Sequence, residues 1–304
     1  MGKIAFLFSG QGAQYPGMGK PFYENYSVIT ALYDMAENKR PGTINQSFYS
    51  NADTLKKTEN TQPCLFLADM AAAVALEENG VKADGVAGFS LGEIAALTYA
   101  DAFVNVSGFE VVCRRAELMG EANAKVDAGM VAVVKMENKD VEAIVAEFAH
   151  LYPVNYNCPG QLVVAGDRQE LMEFTGKIKA KGGRAVPLAV SGAFHSPYMD
   201  KAAMEFGEYL KGVVTQQSSI PVYANSTAKP YGADVCATLM QQMNHPVLWE
   251  QTIRTMYADG FDTFIETGVG DTLVKLVKKT LPECAAFAVN DLESLALVKA
   301  VCHG

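Results

Sequence analysis

Paired cysteines are absent. Cys64, Cys113, Cys158, Cys236, Cys284 and Cys302 are scattered along 304 residues with no Cys-x-x-Cys spacing, and the simpler reading is reduced thiols in a cytoplasmic protein. Long apolar runs are absent too. The alanine-rich stretch at Met70–Ala75 is flanked by Asp69 and Glu77, so nothing approaches the ~20 residues of a membrane span. The short apolar run Ile4–Phe8 falls below the roughly 7–15 residues of a signal-peptide core, and the expectation is a cytosolic chain. Positive charge is in the minority, with 25 Lys and Arg against 34 Asp and Glu, a net charge of −9. That balance argues against general affinity for nucleic acid or anionic membrane, though a local basic patch could still receive an acidic ligand or partner. Histidine is scarce at four residues, which narrows any search for a general base.

What is present is an α/β alternation. With 49% apolar and 19% charged residues, the composition suits one large α/β unit plus a smaller one. Strand-like runs at 4–8, 86–88, 221–224 and 263–266 alternate with helical runs at 61–79, 94–99, 109–122, 247–258 and from 272. This is the pattern of a parallel sheet covered by helices. Pro63 lies near the start of the first of these helices and Gly80 beyond its end. Ser107 to Glu110 matches a capping box. Between residues 127 and 191 the order becomes β-α-β-β-α-β, that of a ferredoxin-like module. Hinge-suited Gly129 and Gly192 flank it. The expected division is a large body, 1–126 and 192–304, with a small subdomain at 127–191.

The first strand runs into Ser-Gly-Gln-Gly-Ala-Gln, a loop carrying Gly10, Gly12, Gly17 and Gly19. The dinucleotide fingerprint needs glycines at its first, third and sixth positions, and here the sixth is Tyr15. The strongest local signal is Gly88-Phe89-Ser90-Leu91-Gly92 between a strand and a helix. Gly-x-Ser-x-Gly in that setting is a nucleophile elbow, whose glycines permit the sharp turn that projects the serine. The same five residues also suit a plain strand–helix turn. A serine of ordinary pKa needs a base. His150, beside Leu151 at a helix end, and His303, next to the C-terminus, read as surface residues, and His245 reads as part of a turn. His195 follows a strand, precedes a helix and lies at the seam after the inserted module, which makes it the candidate base.

Eight stretches, in order, carry a more specific resemblance: FSGQGAQ at Gln11, TQP at Gln62, GFSLGE at Ser90, RAELM at Arg115, PVNYNCPGQ at Asn157, GAFHSPYM at His195, NHPVLW near Trp249 and ETGVG at Gly268. The chain resembles the malonyl-CoA:acyl carrier protein transacylases over nearly its whole length. The resemblance implies an α/β-hydrolase-like body with a parallel sheet and an inserted ferredoxin-like subdomain. It implies ping-pong transfer of malonyl from malonyl-CoA, through a Ser90 ester, to the phosphopantetheine thiol of acyl carrier protein, in fatty-acid or polyketide synthesis. His195 would act as base and acid, and the backbone N–H groups of Gln11 and Leu91 would form the oxyanion hole. Arg115 would grip the malonyl carboxylate, since a planar guanidinium binds it bidentately. Gln62, Phe89, Asn157 and Phe194 are expected to line the substrate site. The Leu248 main-chain carbonyl is expected to orient His195. No metal and no cofactor beyond malonyl-CoA are implied, and the family expectation is a monomer. Two departures stand out: Phe89 where the family has histidine, and Leu248 where it often has glutamine. Phe89 makes the site less polar, whereas Ala193-Phe194-His195 resembles the malonyl-selective form.

Two other classes share some of these features. An α/β-hydrolase esterase or thioesterase would place an acid, such as Asp167, between serine and histidine in chain order. A catalytically inactive carrier-protein-binding module would retain the surface and lose the chemistry.

Overall fold

The computed structural model describes residues 2–190 and 192–303; the expected boundary at 191 falls on Ser191, outside the described residues. Among the described residues, nine strands form two sheets. The first sheet comprises β1 (Lys3–Phe8), β2 (Gly85–Gly88), β7 (Val222–Tyr223), β8 (Phe261–Thr267) and β9 (Ala285–Val289). Its order is β7-β2-β1-β8-β9, and every pairing is parallel. The second sheet comprises β3 (Ala128–Val134), β4 (Leu151–Cys158), β5 (Gln161–Asp167) and β6 (Arg184–Pro187), in antiparallel order β4-β5-β3-β6. The α/β reading with a parallel sheet and a separate antiparallel sheet therefore holds.

The central strands of the parallel sheet are apolar because helices cover both faces. Ala5, Phe6, Leu7 and Phe8 of β1 are fully buried. The helix Thr58–Glu78 packs in this core, with Phe66, Leu67 and Ala71 to Ala73 among its buried residues. It starts three residues before the expected position, leaving Pro63 inside it. Proline offers no N–H to the carbonyl four residues back, and Arg40 Nη2 donates to that carbonyl, Glu59 O, at 3.3 Å. The helix expected at 109–122 runs from Asn105 to Asn123, with Val104 at its N-cap and no side-chain cap. Ser107 thus lies inside the first turn, and the capping-box start does not occur. Among the described residues, no helix is long and apolar enough to cross a membrane.

Two contacts seat the elbow. A Cβ at Gly88 would lie 1.9 Å from the Gly92 carbonyl carbon, and one at Gly92 would lie 2.4 Å from Phe8 O. The helix Gly92–Tyr99 therefore presses its first turn against β1 and β2 with no room for side chains. Gly88→Ala is expected to destabilise the protein by more than about 4 kcal/mol, the range of severe backbone clashes. Gly176→Ala is the control: it lies in the helix Arg168–Ala180 with nothing within 4 Å, and should stabilise by about 0.5–1 kcal/mol. Denaturant melts of the two variants test the contrast.

Candidate active site

Ser90 sits between β2 and the helix Gly92–Tyr99 with φ of 55°, a left-handed conformation that a non-glycine residue holds only when its surroundings over-determine it. They do so here. The Ser90 N–H donates to Asn225 Oδ1 at 2.8 Å, and Asn225 Nδ2 donates to Gly88 O at 2.6 Å. The Ser90 carbonyl accepts from Gln242 Nε2. With its backbone pinned on both sides, the side chain points to His195, and Ser90 Oγ lies 2.7 Å from His195 Nε2.

His195 is buried, and its own φ is 60°. The C-terminal end of the helix Val235–Gln242 holds it twice. The His195 N–H donates to Met243 O at 3.1 Å, and Nδ1 lies 2.8 Å from Gln242 O. A carbonyl can only accept, so the proton is on Nδ1 and Nε2 is free to receive the serine proton. The orienting carbonyl is therefore that of Gln242, not of Leu248 as expected. The Leu248 carbonyl is engaged at the start of the helix Trp249–Ala258, accepting from Thr252 N at 2.9 Å and Thr252 Oγ1 at 3.0 Å. The last carbonyls of a helix have no partner within it, which leaves Gln242 O available. Burial, with the Arg115 charge adding to it, depresses the His195 pKa to about 3, so the ring is neutral at physiological pH.

Arg115 is 1% exposed. Its Nη1 donates to Gln62 Oε1 at 2.7 Å, and its Nη2 to Gln242 Oε1 at 2.8 Å and to Ser90 Oγ at 3.1 Å. Its Nε is buried with no acceptor. Burial lowers its pKa to about 10, against the opposing pull of Glu93, so it stays charged. A buried guanidinium held only by neutral oxygens lacks an anionic partner, the state that a carboxylate ligand would complete.

Ser90, His195 and Arg115 share one small cavity with Gln11, Gln62, Phe89, Leu91, Asn155 and Phe194. Among the described residues, neither the Gln11 nor the Leu91 backbone N–H donates to a protein acceptor. The glycine loop is tied by Ser9 Oγ donating to Asp69 Oδ1 at 2.7 Å and by Gly12 N donating to Gln14 Oε1 at 2.7 Å. Gly10 brings the chain against Phe89, where an added Cβ would lie 2.8 Å from Cδ1. Phe89 in turn packs edge-on against Trp249, centroids 5.3 Å apart. Phe194 is buried at the cavity wall, whereas Asn157 is not part of the wall. Asn155 takes that place, because irregular pairing of β4 with β5 at Pro153/Asn155 and Tyr156/Cys158 breaks simple strand alternation.

Asn225, Gln242 and Glu93 were not singled out from the sequence. Glu93 does stand within GFSLGE, where a charge at the buried start of a helix was the available signal. Its carboxylate accepts from Tyr231 OH, from Asn225 N at 3.1 Å and from Gln242 Nε2 at 3.2 Å. Burial raises its pKa to about 7 despite these donors. Asp167, the candidate third acid of a hydrolase, instead caps the helix Arg168–Ala180 by accepting from Gln169 N and Glu170 N.

The acyl transferase domain family matches residues 5–301. A malonyl CoA-acyl carrier protein transacylase of Bacillus subtilis (strain 168) is 36% identical over 98% of this chain and 96% of its own length. A polyketide-biosynthesis enzyme of the same name in that strain is 34% identical over 93% of this chain and 99% of its own. The crystal structure of malonyl CoA-acyl carrier protein transacylase from Clostridium perfringens superposes with a TM-score of 0.95 at 34% identity. That match covers 99% of this chain and 97% of the other.

Proposed function

This chain belongs to the acyl transferase domain family, and from that premise we infer that it is a malonyl-CoA:acyl carrier protein transacylase. The observation that carries the mechanism is the convergence of Ser90, neutral His195 and an anion-free Arg115 within hydrogen-bonding reach of one Oγ. In the first half-reaction Ser90 Oγ attacks the thioester carbonyl carbon while His195 Nε2 takes its proton. The C–S bond then breaks and the proton goes to the departing CoA sulfur. In the second half the phosphopantetheine thiol of acyl carrier protein gives His195 its proton, attacks the ester, and Ser90 Oγ leaves with that proton. The N–H groups of Gln11 and Leu91 receive the oxyanion in both halves. Arg115 holds the malonyl carboxylate, and Gln62, Phe89, Asn155 and Phe194 shape the acyl pocket. Every step is a proton or acyl transfer, so the chemistry calls for no resident cofactor. All its groups come from one chain, so a monomer suffices. Residues 127–191 are assigned as a small unit that closes the pocket over the large body formed by 1–126 and 192–304.

The hydrolase reading is less well supported, because His195 Nδ1 faces a neutral carbonyl and Asp167 serves as a helix cap. The inactive-module reading is opposed by the intact Ser90–His195 contact. Brief exposure to malonyl-CoA without carrier protein should load one malonyl group onto Ser90, seen by intact-protein mass and peptide mapping. An unmodified protein, or an ester on another residue, would overturn the assignment.

A further inference from the structure

We propose that the side chains of Glu93 and Gln242 form a buried positioning relay that sets how strongly Arg115 favours a negatively charged acyl group. The proposal rests on the transacylase reading above. Both residues are fully buried. The Gln242 amide is engaged at each end, with Oε1 accepting from Arg115 Nη2 at 2.8 Å and Nε2 donating to the Ser90 carbonyl and to Glu93 Oε2. Its main-chain carbonyl separately holds His195. One residue therefore touches the nucleophile's backbone, the base and the arginine, and places Glu93 one amide behind the guanidinium.

The interposed amide matters for charge. A carboxylate paired directly with Arg115 would occupy the planar fork and compete with the acyl carboxylate. A pocket with no anion nearby would leave a buried cation uncompensated. Glu93 acts through Gln242, stabilising the charged arginine without occupying its fork: Nε keeps no acceptor and Nη1 donates to Gln62 alone. Glu93 is fixed in turn by Tyr231 and by Asn225, whose side chain also pins the elbow. Arg115 and Tyr231 are the charged and titratable groups that face it.

Two variants with opposite expectations test the relay, each assayed for kcat/KM with malonyl-CoA and with acetyl-CoA. Gln242→Met keeps the volume and the carbonyl that orients His195 but removes the amide. The malonyl-to-acetyl ratio should fall by about tenfold or more, mainly through a higher malonyl KM, as expected when a charged hydrogen-bonded site is loosened. Glu93→Gln, compared with wild type above pH 7 where the Glu93 carboxyl is ionised, keeps the shape and removes the charge. The ratio should rise by about threefold or more, because Arg115 then attracts an anion with less internal competition. A purely structural role would move both substrates together. Ratios within about twofold of wild type in both variants, beside a wild type that prefers malonyl-CoA, would overturn the relay alone. Should Gln242→Met fail to fold, a Glu93→Gln ratio that is unchanged or lowered overturns it as well. Wild type without malonyl preference would overturn the transacylase reading and the relay with it.

Discussion

His195→Ala is expected to acylate from malonyl-CoA roughly 10²–10⁴-fold more slowly than wild type, the usual range for loss of general acid–base help. The geometry puts the ring in both roles, since Nε2 is 2.7 Å from Ser90 Oγ and Nδ1 is locked by Gln242 O at 2.8 Å. The acceptor on Nδ1 is a main-chain atom at a helix C-terminus, whose partial negative charge also favours the imidazolium formed during attack. Side-chain changes at Leu248 should therefore matter little, and Leu248→Gln should stay within about threefold of wild type, the scale of an ordinary peripheral substitution. The depressed His195 pKa of about 3 adds a sign. A base that is already neutral loses no activity as pH falls through 6.5, so the acid limb of single-turnover acylation should lie well below that value. An inflection near 6.5 that vanishes in His195→Ala would show an ordinary, solvated imidazole instead.

Arg115→Ala should abolish most of the preference for malonyl-CoA over acetyl-CoA, which in wild type is expected to be at least roughly tenfold in kcat/KM. Phe89 and Arg115 pull selectivity in different directions. Phe89 offers apolar surface next to the nucleophile, and an apolar contact is worth about 1–3 kcal/mol. Leaving a buried charge without its partner commonly costs about 2–5 kcal/mol, so the charge term dominates. Arg115 is almost wholly buried and contacts only neutral oxygens, so a neutral acetyl group leaves it unmatched. The variant should lose malonyl transfer while sparing or raising acetyl transfer. Competition assays with the two thioesters would read this directly, and an unchanged preference would mean that another group reads the carboxylate.

Much of this arrangement was legible in the residues. The alternation of short apolar strands with helices marks the parallel sheet, and Gly88, Ser90 and Gly92 mark the elbow because only glycine fits where β1, β2 and the helix touch. His195 was singled out by its place at a seam between segments, and the fold sets its Nε2 2.7 Å from Ser90 Oγ. The parts that escaped have physical reasons. Gln242 meets the His195 ring through a carbonyl, an atom that every residue carries, so no side-chain pattern points to it. Asn155 and Asn157 have the same side chain two positions apart, and two irregularities in strand pairing decide which one reaches the cavity. The helix starting at Asn105 is placed by packing of Phe109, Val111 and Val112, which overrides the local capping signal at Ser107. Glu93 lay within a motif already noticed, but its partners Asn225, Tyr231 and Gln242 are more than 130 positions away, and only the folded chain joins them.

The antiparallel sheet has a consequence for how the site assembles. Ser90 and His195 are 105 residues apart in the chain, and the whole of the small sheet lies between them. Zipping β3 against β6 at Val131 and Pro187 removes roughly half of that chain from the loop, and halving a loop lowers its closure entropy by only about 0.6 kcal/mol. Early formation of the small sheet therefore hastens the meeting of serine and histidine by a factor of about three at most. Its larger effect is on what they meet around: Met130, Asn155, Leu188 and Val190 come from this segment and wall the cavity. A chain with the segment cut out and its ends joined would face little entropic obstacle to bringing the dyad together, yet the dyad would stand open to water, where a loaded ester is hydrolysed rather than passed to a thiol.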